Sequence, residues 1–361
     1  MRNRIFLVIT FLVISGTMIL ASPMVIAFGR SNEDADQLKI SALTEVNVTI
    51  VINDFPGSPT NWTWAKDQGY CSGSGTLGDP YVISNLFFNT SNLADNCISI
   101  QNSLKHFTIR NCKFKGHTQF AGIQLYNTTF GRITANMMYQ NTGALVWVYN
   151  ASNNLIYLNN ASAGFYYGIL IDGTPGYSQM NQIYGNVIKN NLEAGIQLRA
   201  LGSQFNTIQD NTFLLNPYGI EMGAFVKNNT IIGNHIMNST LCGLIANGMS
   251  ETNFIYGNCF FDNVLHALDD GLNNEWDDGS KGNYWDNYTG SDTDDNGIGD
   301  IPYNITGSAG SQDLYPLMSC PTPSVPAGIP GFELYILLLI GASSIVGIIL
   351  FTRRKNYRKW N

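Results

Sequence analysis

Charge is the scarcest resource of this chain: only 12% of its 361 residues are Asp, Glu, Lys or Arg. The sequence is nonetheless too apolar for a disordered, charge-extended polymer. The usual helix formers Ala, Glu, Lys and Leu are thin through the middle, which argues against a helical bundle. Six Cys in a chain of this length exclude a disulfide knot. Basic residues are nearly absent away from the ends. Residues 28–332 hold 12 Lys and Arg against 25 Asp and Glu, a surface that repels phosphate and excludes nucleic acid as a partner. Most of that deficit sits in one place: Asp262 to Asp313 carries 12 acids and a single base, Lys281. What is abundant is Asn, with 42 residues, and Gly, with 36.

The two ends read as address labels. Arg2 and Arg4 precede an apolar run from Ile5 to Ala21, and Val25-Ile26-Ala27 offers a small-residue cleavage site, so residues 1–27 read as a signal peptide. At the other end, Phe332 to Phe351 is apolar apart from Glu333, about 30 Å of helix and enough to cross a bilayer. Arg353, Arg354, Lys355, Arg358 and Lys359 follow, which places a tail, 353–361, in the cytoplasm and everything before the helix outside. Pro321, Pro323, Pro326 and Pro330 make residues 319–331 an extended stalk. Pro330-Gly331-Phe332, the apolar span and the bases after it resemble the Pro-Gly-Phe sorting signal of archaeal surface proteins, which implies exchange of the helix for a lipid. Ten Asn-x-Ser/Thr sequons fit an exported glycoprotein. An outside location also permits disulfides. Cys97 with Cys112 and Cys242 with Cys259 are close in sequence, which leaves Cys71 and Cys320 to join the ends; buried free thiols are the alternative for the middle four.

A repeat decides the fold. Ile-x-x-Asn recurs at Ile133, Ile156, Ile183, Ile208, Ile231 and Ile255, in steps of 23, 27, 25, 23 and 24 residues. A further Asn stands two residues before the Ile at Asn154, Asn181, Asn206, Asn229 and Asn253. Between these lie short Gly-initiated apolar segments at Gly122, Gly143, Gly168, Gly195, Gly219 and Gly243, with the period-two pattern of strands. One coil per repeat accounts for both signals. Coils stack about 4.8 Å apart as parallel strands, apolar side chains fill the inside, and Asn occupies the bends, where side chains can hydrogen-bond up a ladder. The expected fold class is all-β, a right-handed parallel β-helix of about seven coils over residues 70–273. A lead-in (28–69) precedes it, and an acidic C-terminal cap (274–318), the stalk and a transmembrane helix (332–352) follow. A leucine-rich repeat fits less well, because it wants Leu where the second Asn set stands.

Both borders of the repeat carry a resemblance. Gly-Ser-Gly-Thr-Leu-Gly-Asp-Pro-Tyr-Val-Ile, from Gly73 to Ile83, resembles the start of NosD-like β-helix proteins, the carbohydrate-binding and sugar-hydrolase repeat family. Trp-Asp-Asp-Gly-Ser-Lys-Gly-Asn-Tyr-Trp-Asp-Asn-Tyr, from Trp276 to Tyr288, resembles its end, as do Gly299 to Tyr303 and Tyr315 to Leu317. The resemblance covers roughly residues 70–318. It implies a parallel β-helix outside the cytoplasm and, from the factor that names the family, copper delivery. Copper is not supported by the histidines: His106, His117, His235 and His266 show no ligand spacing and no surrounding Met cluster.

Calcium has a better sequence case. Asp292, Asp294, Asn296 and Asp300 space hard oxygens around a Gly297 turn, although Tyr303 stands where a calcium loop of the EF-hand type has its bidentate Glu. A calcium ion closing the cap over the last coil is therefore expected. For the outward face of the Gly-initiated strands, the repeat alignment gives one row of Gln124, Leu145, Leu170, Gln197, Glu221, Ile245 and Asp269. A second row holds Tyr126, Trp147, Asp172, Arg199, Gly223 and Asn247. Asp172 and Arg199 read as an ion pair. Gln124, Tyr126, Trp147, Asp172, Gln197, Arg199 and Glu221 form a candidate face for a glycan or another cell-surface component. Glu221 and Asp269, two coils and about 10 Å apart, are the only catalytic candidates, at the upper limit for an inverting glycosidase. The functional expectation is an envelope-anchored, monomeric, non-catalytic binding rod. A polysaccharide-active hydrolase or lyase working near Glu221 and a NosD-like metal-delivery protein are the alternatives.

Overall fold

A computed structural model describes residues 43–321, apart from 90–94, 117–119 and 140–142. The expected signal peptide, membrane-spanning helix and basic tail, and all of the expected stalk after Pro321, lie outside the described residues. Among those described, no helix is long and apolar enough to cross a membrane.

Three parallel sheets run the length of the stack. Sheet A has ten strands, from Thr44–Val46 to Tyr284–Trp285; sheet B has nine, from Ile50–Asn53 to Ala267–Asp269; sheet C has eight, from Tyr81–Ser84 to Phe254–Tyr256. Each coil passes through A, B and C in that order, and each strand pairs only with its counterparts one coil away. Nine strands in sheet B make eight inter-coil steps, about 38 Å at the usual strand spacing. The rod is thus longer than the sequence suggests, because the lead-in contributes the first coil at Thr44–Val46 and Ile50–Asn53. A six-residue helix, Trp62–Asp67, is inserted in that coil. Asn61 caps it by accepting from the Trp64 amide, and Trp62 is buried with its ring stacked on Tyr81 at 4.5 Å.

Alternation sets the core. In sheet B, Ile123, Val146, Ile169, Ile196, Ile220 and Leu244 form one buried inner column, and Leu125, Val148, Ile171, Leu198 and Met222 form the other. Phe114, Met138, Ile188, Phe213, Ile236 and Phe260 do the same in sheet A. The strand-initiating glycines are required by the stacking itself. A Cβ on Gly195 would lie 2.6 Å from the Gly219 carbonyl oxygen, and one on Gly219 would lie 2.5 Å from that of Gly243.

The asparagines form the expected ladders. At the turn from C to A, Asn136, Asn159, Asn186, Asn211, Asn234, Asn258 and Asn283 stack. From Asn136 to Asn258, each amide N–H and each side-chain Nδ2 donates to the Oδ1 of the Asn one coil on, and the amide of the last, Asn283, donates to Asp313. A second ladder runs from Asn154 to Asn274 at the turn from B to C. These side chains replace the backbone partners that tight turns forfeit.

Two sequence expectations fail here. The expected joining of Cys71 to Cys320, of Cys97 to Cys112 and of Cys242 to Cys259 is overturned: the one disulfide among the described residues links Cys259 to Cys320, and Cys71, Cys97, Cys112 and Cys242 are free, the last three as the buried thiols of the alternative reading. Burial raises all four of these thiols, Cys71 to about 11 and Cys112 and Cys242 to about 12, which makes them poor nucleophiles. The outward row is also misplaced in two coils. Leu145 is fully buried, and Gly143 lies two residues out of step with the other glycines, because Val146, not Ala144, pairs with Ile123.

Candidate functional site

Correct pairing of the coils reassigns the outward side chains of sheet B. The first row reads Gln124, Trp147, Leu170, Gln197, Glu221, Ile245 and Leu268. The second reads Tyr126, Tyr149, Asp172 and Arg199. Gln124, Tyr126, Trp147, Asp172, Gln197, Arg199 and Glu221 thus share one face, with Trp147 in the first row. Asp269 is not on it: it pairs with Ala246 on the inner side and is buried. Its carboxylate accepts from the Gly271 amide, Asn274 Nδ2, Trp276 Nε1 and Ser311 Oγ. Four donors on a buried carboxylate hold the cap together, and Asp269 loses its catalytic candidacy because the sheet separates it from Glu221.

The outer face is polar and aromatic in blocks. Tyr126 stacks on Tyr149 at 5.2 Å, and Trp147 leans on Tyr149 at the same distance. Arg199 donates through Nε and Nη2 to one oxygen of Asp172, at 2.9 and 2.7 Å, the ion pair expected from the repeat. Gln197 Nε2 donates to Glu221 Oε2 at 3.0 Å, and Asn247 Nδ2 reaches Oε1 at 3.4 Å. Burial raises the Glu221 carboxyl above its ordinary range, opposed by those two hydrogen bonds and reinforced by nearby Glu193.

Beside Trp147 the face is hollowed. A cleft of about 330 Å³ is lined by Trp147, Leu170, Tyr166, Tyr167, Glu193 and Arg199, with Ala121, Gly143 and Ala144. Tyr166, Tyr167 and Glu193 come from the turns and strand starts that lead into sheet B, the part of the repeat that varies most in sequence. Burial, then the hydrogen bond to Glu193, raise the Tyr167 hydroxyl, which stays protonated near neutral pH. Two polar atoms of this face have no partner although both are buried: Trp147 Nε1, a donor, and Gln197 Oε1, an acceptor. Such atoms cost free energy unless something completes them.

The acidic loop is braced by its own hydrogen bonds. Asp292 accepts from the Asn296 and Gly297 amides, Asn296 Oδ1 accepts from the Ile298 amide, and Asn296 Nδ2 donates to Asp294. Asp300 accepts from Ser291 Oγ and from the amide and hydroxyl of Thr293, which holds its carboxyl below the ordinary range. The spacing that suggested calcium also lets the turn cap itself, and among the described residues no three carboxylates of the loop form a convergent group. One group among the described residues does converge: ligand atoms of His235, Cys259 and Cys320 all lie within 4.8 Å of one another.

Comparison with known proteins agrees with the architecture. The family model of the right-handed β-helix region matches residues 71–225, and that of the periplasmic copper-binding protein NosD matches residues 176–290. Two curated relatives, each described as a probable ABC transporter binding protein NosD, come from Pseudomonas aeruginosa and Stutzerimonas stutzeri. Each is 40% identical over 78 residues, 21% of this chain and 18% and 17% of theirs. The chain therefore matches less than a fifth of the length of these relatives. Among solved structures, two variants of the periplasmic alginate epimerase AlgG align with TM-scores of 0.46 and 0.43 at 16% and 15% identity. They cover 63% and 53% of this chain, and the alignment covers 54% and 56% of theirs. At that distance they bear on neither substrate nor mechanism. The copper in the family description asks for soft donors, and sulfur and imidazole meet only at His235, Cys259 and Cys320 among the described residues. Their chemistry fits copper, but only when Cys259 and Cys320 are not bonded to each other.

Proposed function

Starting from a chain that belongs to the NosD-like right-handed β-helix proteins, we propose that its work is done by the outer face of sheet B, which binds an extended glycan outside the cytoplasm. The observation that carries this reading is the pair of buried, unpartnered atoms, Trp147 Nε1 and Gln197 Oε1, on an aromatic face beside a cleft of about 330 Å³. Sugars offer what such a face lacks. Their C–H faces stack on aromatic rings, and their hydroxyls both donate and accept. A volume of this size suits one or two sugar rings, with Tyr149 in the same coil and Tyr126 one coil away continuing the platform. The chain acts as a monomer held at the extracellular face of the cell membrane by its C-terminal segment, either as a helix or as the lipid that replaces it.

The test is retention on a polysaccharide array by the full-length chain. Trp147→Phe keeps the ring and removes the donor, and is expected to weaken binding about tenfold. Trp147→Ala removes the platform and abolishes retention. An array pattern unchanged by Trp147→Ala would remove the reading.

A second reading is favoured by one observation: burial raises the Glu221 carboxyl and Glu193 adds to the effect, while the Tyr167 hydroxyl is bonded to Glu193 on the same face. Such mutually shifted groups suit proton transfer on a polysaccharide. Release of new reducing or unsaturated ends from a retained polysaccharide, lost in Glu221→Gln with binding kept, would favour the enzyme over the binding rod.

A further inference from the structure

The outward row of sheet A carries a second constellation. It runs Thr212, His235, Cys259 and Tyr284, one residue per coil, so parallel pairing sets His235 and Cys259 side by side. The third member arrives by a different route. After the cap the chain returns across this face: Leu317 donates to the Asn283 carbonyl and bridges to Tyr284, Met318 donates to the Gly297 carbonyl, and Cys320 then meets Cys259. The Cys320 sulfur lies 3.8 Å from His235 Nε2 and 3.9 Å from Nδ1. His235 also hydrogen-bonds the Pro321 carbonyl, the kind of contact that orients a ligand imidazole.

We propose that these three side chains form a redox-gated site for a single Cu(I) ion: closed while Cys259 and Cys320 are joined, open when they are reduced. Two thiolates and an imidazole are donors that a soft monovalent ion prefers, and this group contains none of the carboxylates that hard cations need. Two of the three donors are fixed by the sheet, and the third rides on the returning segment, so opening does not require any coil to move. The site is separate from the sheet B face, and neither reading depends on the other.

The steps balance. A dithiol reductant transfers two electrons and two protons to the Cys259–Cys320 bond and leaves as its own cyclic disulfide, giving two thiols. Cu(I) then forms two bonds to sulfur and one to a ring nitrogen of His235, and the two thiol protons pass to solvent. In the return step a disulfide oxidant takes up two electrons from the Cys259 and Cys320 thiolates and two protons from solvent and leaves as its dithiol, the Cys259–Cys320 bond re-forms, and the Cu(I) ion is released.

The experiment uses the full-length chain in detergent, once with the disulfide intact and once after reduction by a trialkylphosphine, which takes up the oxygen of one water as it is oxidised. Each form is titrated with Cu(I) from a chromophoric competitor. The expected result is one ion per reduced chain with two sulfur and one nitrogen neighbours by X-ray absorption, and none for the disulfide form. His235→Ala should lose the nitrogen neighbour and at least tenfold in affinity. Cys320→Ser, in a segment outside the coils, should lose at least a hundredfold, with circular dichroism confirming that the stack is intact. The proposal is overturned if Cys320→Ser or the Cys259→Ser/Cys320→Ser chain binds Cu(I) as tightly as the reduced parent. It is also overturned if the disulfide form binds equally well, or if the reduced chain takes Zn²⁺ in preference.

Discussion

Asn211 shows what a single ladder residue does. Its amide and Nδ2 both donate to Asn234 Oδ1, its Nδ2 also donates to the Ile183 carbonyl, and its own Oδ1 accepts from the amide and side chain of Asn186. All of this is sealed from water. Asn211→Ala leaves the Asn186 amide buried without a partner, removes a donor from the Ile183 carbonyl and opens a cavity in the ladder, and is expected to cost about 2–4 kcal/mol in urea unfolding. Asn211→Asp keeps the acceptor, loses both donors and buries a charge, so it should cost at least as much. A loss below about 1 kcal/mol would mean that the ladder is ornament. These asparagines are legible in sequence because their period is the coil. The residues that make the turns are not. The left-handed position is the one just before the ladder Asn, and it is filled by Ala135, Leu158, Met180, Phe205, Asp210 and Thr252 as well as by Gly and Asn. The ladder Asn carries the hydrogen bonds, and the left-handed conformation falls on the residue before it, which is itself Asn at Asn153 and Asn228. Met180, exposed and at φ 55°, is the clearest case. Met180→Gly should stabilise by about 0.5–1 kcal/mol, because relief of the left-handed penalty exceeds the entropy that Gly adds to the unfolded chain. An unchanged urea midpoint would count against that account.

At the level of elements, the repeat revealed the sheets but hid the cleft and the cap. The outward face of sheet B could be read from alternation, but Gly143 mimics a strand start two residues early, which misplaced Trp147 by a row. Tyr166, Tyr167 and Glu193 were missed because they lie where coils differ from one another. His235 and Cys259 stand 24 residues apart, the repeat step itself, and that spacing was the available signal for their adjacency; Cys320 is beyond any repeat and had none. The cap follows its own logic. Trp276 donates to Asp269 and Trp285 donates to Asp313, so each large indole over the last coil is tied to a buried acid. Asp313 also accepts from the Asn283 and Tyr315 amides. Burial nonetheless raises its carboxyl to about 6, against 3.8 for the free group. A folded pKa above the unfolded one means that the folded chain binds the extra proton. The stabilisation is complete below about pH 4 and is lost as pH rises through about 6, a change of order 2–3 kcal/mol. The difference in melting temperature between the parent and Asp313→Asn, followed from pH 4 to pH 7, should shrink over that window as the parent loses its advantage. A difference that stays constant from pH 4 to pH 7 would remove Asp313 as the titrating group.

For the molecule as a whole, a stack of parallel coils is nearly one-dimensional, and its hazard lies at its ends, where every sheet presents an unpaired strand. The C-terminal segment deals with all three. Leu317 pairs beside Tyr284 on sheet A, Thr306 beside Leu268 on sheet B, and Glu275 beside Phe254 on sheet C. Above them, Trp285 stacks on Phe260 at 4.4 Å and on Tyr303 at 4.2 Å, which closes the apolar bore. The acidic charge of this segment has a role at this scale: a cap with a strong negative surface repels the cap of a second rod. The argument predicts the behaviour of a chain ended after Asn273. It keeps the repeat but leaves Phe254–Tyr256, Cys259–Phe261 and Ala267–Asp269 as free edges beneath an open core. Such a chain should associate end to end, with a mass in light scattering that rises with concentration. Leu268→Lys on the exposed edge, pointing outward where the side chain can be solvated, should return much of it to monomer. A truncated chain that stays monomeric at every concentration would show that the last coil protects itself and that the cap serves something other than closure.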